Sequence, residues 1–383
     1  MIICDHEQCT GCGVCASQCP HRAITMKSGQ IGHLYPFVNN DLCVECGLCV
    51  KLCPINGTLQ FNTPLFSYIA TVRNQEESKS STSAGVAALF SRLVLSNGGV
   101  VYGCTGEDIE NVHHIRVKDE NDVIKLKGSK YVQSSLAPIL QLLKKDIAQK
   151  ERVLFIGTPC QVAAIKVLCH DADNLLTIDL VCHGVPSQKL LSDALHEYLP
   201  SEQLSHYSFS FRKKTNGKST YGVYGVNKQN GIIYSSSFPA NEYITGFLTG
   251  LFYRVSCYRC HYARPKRVSD ITLGDYWDHE DRIKIDNKQG GLSMLIVNTE
   301  KGSVFLKENI DTLNLIETDY NSFVKRNGQL HHPIKKHDNY DEFIVEYKEH
   351  GFLKASKRCL RRTKREIKWN LFLNRIASLL KRL

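Results

Sequence analysis

The 383-residue sequence predicts a fold of the mixed α+β or α/β class, with a small cysteine-rich module, a larger α/β domain and a C-terminal amphipathic helix. Three observations support this prediction. Two cysteine runs repeat near the N-terminus, strand-like and helical segments alternate after residue 65, and a basic tail with helical periodicity closes the chain. Alternation of strands and helices favours a substantially parallel sheet. We therefore expect three parts, residues 1–57, 65–350 and 351–383.

The formal net charge of +10 belongs to the tail. From residue 354 onward there are eleven basic residues and one acidic residue, so the residues before 354 are balanced. A neutral body lacks the basic face that a nucleic-acid-binding domain presents, and we expect no nucleic-acid partner.

Cysteine usage points to a reducing compartment. The sequence has sixteen cysteines, no run of 18 apolar residues and an N-terminus unlike a signal peptide. Cysteines in a chain without export features are typical of metal or redox chemistry rather than of a disulfide framework. We expect a cytoplasmic protein.

The N-terminal module holds two copies of the run C-x2-C-x2-C-x3-C-P, at residues 9–20 and 43–54. This is the spacing of bacterial ferredoxins, in which three cysteines of a run bind one [4Fe-4S] cluster and the fourth binds the other. The alternative is zinc, whose structural sites use separated C-x2-C pairs. The predicted ligands are Cys9, Cys12, Cys15 and Cys53 for the first cluster and Cys43, Cys46, Cys49 and Cys19 for the second.

The larger part begins after a turn-rich linker over residues 57–64. Its pattern predicts strands at Tyr68–Arg73, Val153–Ile156 and Leu175–Val181, with helices between them, and a helix over Leu136–Lys150. After residue 205 the pattern becomes rich in strand-like segments, which predicts a β-rich insertion.

Two of the predicted strands are followed by a cysteine. Cys160 and Cys182 each come just after a buried strand, and a C-x2-C pair follows at Cys257 and Cys260. Open α/β sheets bind ligands at the carboxyl ends of their strands, so these four thiols are candidates for a third cluster. The alternative is that Cys160 and Cys182 are ordinary buried thiols.

Other polar segments are weaker candidates. The donor-rich loop at residues 126–134 suits a phosphate or a flavin, but it also fits a solvated loop. Ser83 and Gly85 precede a predicted helix, where they form either an anion site or a plain cap. His183 is a candidate acid–base group.

Five segments, taken in order, resemble the beta subunit of coenzyme F420-reducing hydrogenases and dehydrogenases. They are Lys127–Ser134, Gly157–Gln161, Cys182–Ser187, Cys257–Cys260 and Asp270–Trp277. The resemblance covers roughly residues 67–300, with the ferredoxin module in front.

This resemblance implies a noncovalent FAD and a cluster on Cys160, Cys182, Cys257 and Cys260. The implied flavin contacts are Ser83, Gly85, Lys127, Gly128, Ser129, Lys130, Tyr131, Gln133 and Thr158. The expected function is an iron–sulfur flavoprotein oxidoreductase that relays electrons between its clusters and FAD. Its partners would be a ferredoxin-like redox protein and a small hydride donor or acceptor, F420 or another molecule.

Two alternatives remain open on the sequence alone. One is a non-catalytic electron-transfer subunit that serves a partner enzyme. The other is a redox or modification enzyme of surface polysaccharide biosynthesis, because family members occur among such proteins.

The tail predicts a basic amphipathic helix. Trp369, Leu373, Ile376, Leu380 and Leu383 recur at spacings of three and four, and lysines and arginines fall on the opposite face. Such a helix either contacts the cytoplasmic membrane surface or an acidic partner, or packs on its own domain.

Overall fold

The computed structural model describes residues 1–200, 202–215, 218–276 and 283–380. Of the sequence predictions, Trp277 and Leu383 lie outside these ranges. The described residues form three sheets whose strands are β1 Ile24–Ser28, β2 Leu34–Val38, β3 Phe66–Val72, β4 Val100–Thr105, β5 His113–Val117, β6 Val153–Gly157, β7 Leu175–Leu180, β8 Tyr207–Thr215, β9 Lys218–Asn227, β10 Ile233–Ser237, β11 Ile271–Asp275, β12 Ser293–Val297 and β13 Leu313–Glu317.

The helices surround these sheets and continue into the tail. They are α1 Val14–Ser17, α2 Leu48–Lys51, α3 Gln75–Ser80, α4 Val86–Ser96, α5 Val123–Leu126, α6 Leu140–Ala148, α7 Pro159–Cys169, α8 Gln188–Tyr198, α9 Glu242–Thr249, α10 Glu300–Glu308, α11 Tyr320–Val324, α12 Tyr340–His350, α13 Phe352–Cys359 and α14 Arg361–Leu380. The helix predicted over Leu136–Lys150 begins only at Leu140. Pro138 explains the difference, because the residue before a proline is disfavoured in a helix.

The main sheet has eight strands in the order β13-β3-β12-β11-β7-β6-β4-β5. Strands β4, β6, β7 and β11 run parallel to one another, whereas β5, β12, β3 and β13 pair antiparallel with their neighbours. The sheet is therefore mixed, and the expectation of a substantially parallel sheet holds only for its centre. Strand direction depends on how distant segments pair, which the local apolar pattern does not encode.

The predicted β-rich segments after residue 205 form a separate antiparallel sheet of β10, β9 and β8. The N-terminal module contains the antiparallel pair β1 and β2 together with the short helices α1 and α2. The overall class is thus mixed α/β with a ferredoxin-like module in front.

A buried ion pair ties the centre of the sheet to the segment that follows the C-x2-C pair. Asp179 in β7 accepts a hydrogen bond from the guanidinium of Arg267 at 2.9 Å, and both side chains are almost fully buried. The same guanidinium donates to the backbone carbonyl of Tyr262 at 3.1 Å. This pair therefore holds the chain next to Cys260 in place against the sheet.

The tail forms the long helix α14, which is anchored at its start. Lys364 pairs with Glu242 at 2.8 Å, and Leu360 just before the helix is fully buried. Farther along, Trp369 keeps 60% of its surface exposed, and Leu373 and Ile376 are also exposed. The apolar face is therefore not packed on the described part of the chain, as one alternative had it. Within the residues that the structure describes, no helix is long and apolar enough to cross a membrane.

Removing the Asp179 carboxylate is expected to destabilise the fold strongly. Asp179→Ala leaves a buried guanidinium without its counter-charge, a change that costs about 3–5 kcal/mol. The control is Glu151→Ala, which breaks the exposed pair with Lys118 and costs less than about 1 kcal/mol. Urea unfolding followed by circular dichroism measures both, and equal losses would contradict the structural role of the buried pair.

Candidate cluster and cofactor sites

The first ferredoxin run lines a cavity of about 350 Å³ together with the last cysteine of the second run. The thiols around it are those of Cys4, Cys9, Cys12, Cys15 and Cys53. Four of these five are the predicted ligands of the first cluster, which the structure brings together. Cys4 lies outside the repeated motif, so its place in this cavity had no signal in the spacing.

The second run lines its own cavity of about 320 Å³, into which the last cysteine of the first run reaches. The thiols around this cavity are those of Cys19, Cys43, Cys46 and Cys49, the four predicted for the second cluster. Each run thus sends its fourth cysteine to the other cavity, as the ferredoxin spacing requires. Cys46 is exposed, so this second cavity is the one nearer the surface.

Glycines make the two cysteine loops possible. Gly13 and Gly47 precede α1 and α2 at equivalent places in the repeat, and their φ angles are 78° and 75°. Residues with side chains rarely adopt this left-handed conformation. It lets the chain turn from the loop directly into the helix that carries the third cysteine of each run.

The arrangement of the thiols bears on the choice between iron–sulfur clusters and zinc. Within the described ranges, no group of three or more cysteine, histidine or acidic side chains is close enough to hold a single metal ion. Four sulfurs bound to one zinc, each about 2.3 Å from the metal, would lie in close mutual contact. In a four-iron cluster each thiolate binds a different iron, so the thiols stand farther apart, around a cavity. The donor set fits the cluster.

A third set of thiols meets at the carboxyl end of the parallel strands. Strands β6 and β7 are parallel neighbours, so Cys160 at the start of α7 and Cys182 just after β7 lie at the same edge of the sheet. Burial and the neighbouring thiols Cys257, Cys160 and Cys260 raise the pKa of Cys182 well above its usual value. The four thiols predicted for a third cluster are therefore close enough to interact electrostatically.

The third thiol set lies next to the first ferredoxin cavity. Burial raises the pKa of Cys12 to about 12, and the thiols of Cys9, Cys53 and Cys160 contribute in the same direction. Tyr262 is buried between the two sets, and its hydroxyl donates to the backbone carbonyl of Pro54 at 3.4 Å. No motif singled out Tyr262, and only the folded chain shows its position.

The predicted flavin loop crosses the same edge of the sheet. Ser134 at its end contacts His114 of β5 at 3.1 Å and accepts from Gln161 of α7 at 3.0 Å. The backbone N–H of Gln133 donates to Pro186, two residues after the turn that follows Cys182 and His183. The loop therefore runs from the edge of β4 to the third thiol set.

Within this loop the two lysines differ in their partners. Lys127 pairs with Glu77 at 2.6 Å and donates to Ser80 at 2.8 Å. The Lys130 ammonium donates to the carbonyls of Leu126 and Lys127, each at 2.8 Å, and burial lowers its pKa. No carboxylate of the described residues forms a salt bridge with Lys130, so an anionic group such as a phosphate would complement it.

The other loop residues point in different directions. Gly128 has a φ of 86°, and a Cβ added there would meet open space. Ser129 interacts with the Tyr131 hydroxyl, and the Tyr131 ring stacks on Phe247 with centroids 4.4 Å apart. Gln133 instead donates from Nε2 to the carbonyl of Thr10 at 2.8 Å, so its side chain faces the ferredoxin module.

The remaining predicted flavin contacts are helix caps. Ser83 contacts the Ser293 hydroxyl at 3.1 Å, and Gly85 begins α4 with a φ of 89°. Thr158 caps α7 through a reciprocal arrangement with Gln161 and also lies 3.2 Å from the sulfur of Cys160.

His183, the predicted acid–base residue, adjoins Cys182 in an aromatic environment. Its Nδ1 lies 2.8 Å from the Tyr253 hydroxyl, and Phe247 lies against its ring. Burial lowers the pKa of His183 to about 4, so the imidazole is neutral near pH 7. A neutral imidazole at this position can accept or donate a proton, which keeps His183 a candidate.

Comparison with known proteins agrees with the motifs. A sequence model for the C terminus of the coenzyme F420 hydrogenase/dehydrogenase beta subunit matches residues 150–322, and one for the 4Fe-4S dicluster domain matches residues 8–56. One protein of the F420H2 dehydrogenase from Methanosarcina mazei is 21% identical over 214 residues, which are 50% of this chain and 60% of that protein. The match thus spans less than two thirds of this relative.

Among solved structures, one similar chain comes from a xenon-derivatised F420-reducing [NiFe] hydrogenase complex of Methanosarcina barkeri. It shares 16% identity with a TM-score of 0.44, and the alignment covers 78% of this chain and 92% of that chain.

Replacing Cys160 is expected to remove one cluster and leave the other two. Cys160→Ala takes away one of four thiolate ligands, so the iron content falls by about four per chain while the ferredoxin clusters persist. The matched control is Cys169→Ala at the other end of α7, a buried thiol packed among apolar side chains, which keeps the wild-type iron content. Iron and sulfide analysis after anaerobic purification measures both. Equal iron in Cys160→Ala and wild type would remove Cys160 from the ligand set.

Proposed function

Given that this chain resembles the coenzyme F420 hydrogenase/dehydrogenase beta subunit, with a 4Fe-4S dicluster domain in front, we propose that it is an iron–sulfur flavoprotein oxidoreductase. The two matches confirm the resemblance that the motifs predicted. FAD, the third cluster and the division into parts at 1–57, 65–350 and 351–383 are proposals that extend it.

The continuous arrangement of the thiol sets carries this proposal. The second ferredoxin cavity has an exposed thiol, the first is buried against the main domain, and the third set lies beyond it at the sheet edge. Bound clusters would carry electrons one at a time, and a bound FAD would exchange them for a hydride. The residues of this chain would hold these groups in a line from the surface to the sheet.

The flavin would lie along the loop at residues 127–134, near the third thiol set. Lys130 and the backbone around Gly128 would hold its phosphates, and Tyr131 and Phe247 supply an aromatic surface beside it. His183 is the group placed to move a proton, because it lies directly after Cys182 and its imidazole is neutral. The expected substrate is a hydride donor or acceptor such as F420, which the name of the Methanosarcina mazei relative contains.

Anaerobically purified protein is expected to contain about twelve irons and one FAD per chain, as three four-iron clusters and one flavin require. Iron, sulfide and flavin analysis measures these contents. Eight irons without flavin would contradict the proposal and favour the alternative, a subunit that only transfers electrons to a partner enzyme.

The substrate is tested by electron exchange with the loaded protein. We expect F420H2 to bleach the flavin absorbance faster than NADH or NADPH does, and reduced ferredoxin to reduce the clusters from the other side. Faster bleaching by a nicotinamide would replace F420 as the proposed substrate.

For the tail we propose contact with the cytoplasmic face of an anionic membrane. The exposed apolar residues of α14, among them Trp369 and Phe372, and its many basic residues suit such a surface. Because residues 352–360 pack in the core, the deletion that tests this begins after Lys364.

Deletion of residues 365–383 is expected to abolish binding to vesicles that contain phosphatidylserine. The full chain should bind these vesicles in low salt, bind less at high ionic strength, and bind little to phosphatidylcholine vesicles. Co-sedimentation measures binding, and the thermal unfolding midpoint of the deleted protein serves as the control for folding. Unchanged binding after the deletion would refute the proposed contact.

A further inference from the structure

One arginine of the main domain is buried against the ferredoxin module. Only 1% of Arg254 is exposed, and its guanidinium makes three hydrogen bonds. Nη1 donates to the carbonyl of Cys9 at 3.1 Å, Nη2 to the carbonyl of Leu34 at 2.8 Å, and Nε to the side-chain oxygen of Gln133 at 3.1 Å. Two of the three acceptors belong to the N-terminal module.

The packing around this guanidinium is tight. Its central carbon lies 4.6 Å from the centre of the Tyr35 ring, so the aromatic face covers one side. A Cβ added at Gly11 would come within 2.2 Å of Nη2. Gly11 lies inside the first C-x2-C pair, so the loop that carries Cys9 and Cys12 is shaped to leave room for Arg254.

The charge of Arg254 has no acidic partner in the described part of the chain. All its hydrogen-bond acceptors are neutral oxygens. A buried cation is costly unless an opposite charge lies near, so this charge needs an anion that the acidic side chains do not supply. Arg267 shows the contrast, since it is equally buried and pairs with Asp179.

Predicted cluster ligands surround Arg254 on both sides. A contact with Cys4 and, against the effect of burial, the charge of Arg254 lower the pKa of Cys9 to about 6. Burial raises the pKa of Cys160 to about 11 and that of Cys257 to about 12, and Arg254 acts against both shifts. The carbonyl of Arg254 also accepts from the backbone N–H of Cys257 at 2.9 Å.

We propose that Arg254 is the shared counter-charge of the first ferredoxin cluster and the third cluster, and that it raises the reduction potential of both. This inference rests on the proposed function, because it assumes both clusters. A cluster bound by four thiolates is anionic and becomes more so on accepting an electron. A fixed cation in a buried, low-dielectric position favours the reduced form. The second cluster, whose cavity is lined by residues 1–49 alone, lies outside this influence.

Two substitutions remove the charge of Arg254 in different ways. Arg254→Gln deletes it, whereas Gln133→Glu places a carboxylate on the existing Nε hydrogen bond and neutralises the guanidinium without removing it. Both should lower the potentials of the first and third clusters by at least a tenfold change in the reduction equilibrium, about 59 mV for one electron. The potential of the second cluster should not move.

Two controls separate charge from packing. Arg254→Lys keeps the charge and should stay near the wild-type potentials, although it cannot make all three hydrogen bonds. Gln141→Glu adds the same negative charge where an exposed glutamine donates to the carbonyl of Ser17, again on the module but away from Arg254. It should leave the first and third potentials unchanged.

Redox titration followed by EPR, with iron analysis of each variant, measures all of these. Loaded variants with unchanged potentials would overturn the role of Arg254 alone, as would equal shifts in Arg254→Lys and Arg254→Gln. If Arg254→Gln fails to bind iron, Gln133→Glu decides the question. A wild-type protein without clusters would overturn the proposed function, and this inference with it.

Discussion

The contact between the N-terminal module and the carboxyl edge of the parallel strands is the interaction on which the proposed function depends. Electron tunnelling falls steeply with distance, so thiol sets on two separate parts of the chain are useful together only if they are held close. Hydrogen bonds from Gln133 and Gln141 to the module fix this position, together with one between His33 and the carbonyl of Val185 at 3.0 Å. Tyr262 fills the space between the two nearest sets.

This contact also explains how so small a module keeps its shape. A segment of fewer than 60 residues buries little apolar surface of its own, and bound clusters would contribute further to its folding. Val14 of α1 lies in the same apolar cluster as α6, α7 and Tyr262 of the main domain. The module is therefore stabilised from outside, by the domain whose thiols it faces.

The sequence predicted features that depend on nearby residues better than features that depend on distant ones. The repeated cysteine spacing predicted which thiols share a cavity, because the geometry of a ligand loop is local. The position of Cys160 and Cys182 at one sheet edge followed from two buried strands that each lead into a turn. The antiparallel outer strands β3, β12 and β13 were beyond reach, because their pairing joins segments more than 200 residues apart.

Single residues that act across the contact carry no pattern at all. Gln133 was predicted to touch a flavin because it belongs to a donor-rich loop, and its side chain instead joins Thr10 to Arg254. Arg254 stands in no motif, and its role depends on what lies 245 residues earlier in the chain. Cys4 is similar, since only the fold shows that it shares a cavity with four predicted ligands.

The distribution of charge gives these parts a common direction. The formal +10 lies wholly in the tail, whereas bound clusters would add negative charge to a balanced body. The basic helix α14 is held only near its start, by Lys364 and the buried residues before it. A chain with an anionic interior and a basic extension presents opposite charges to its surroundings, and such asymmetry orients an approaching surface or partner before contact. The tail can therefore dock without disturbing the line of thiols, because none of the described contacts of α14 reaches a predicted cluster ligand.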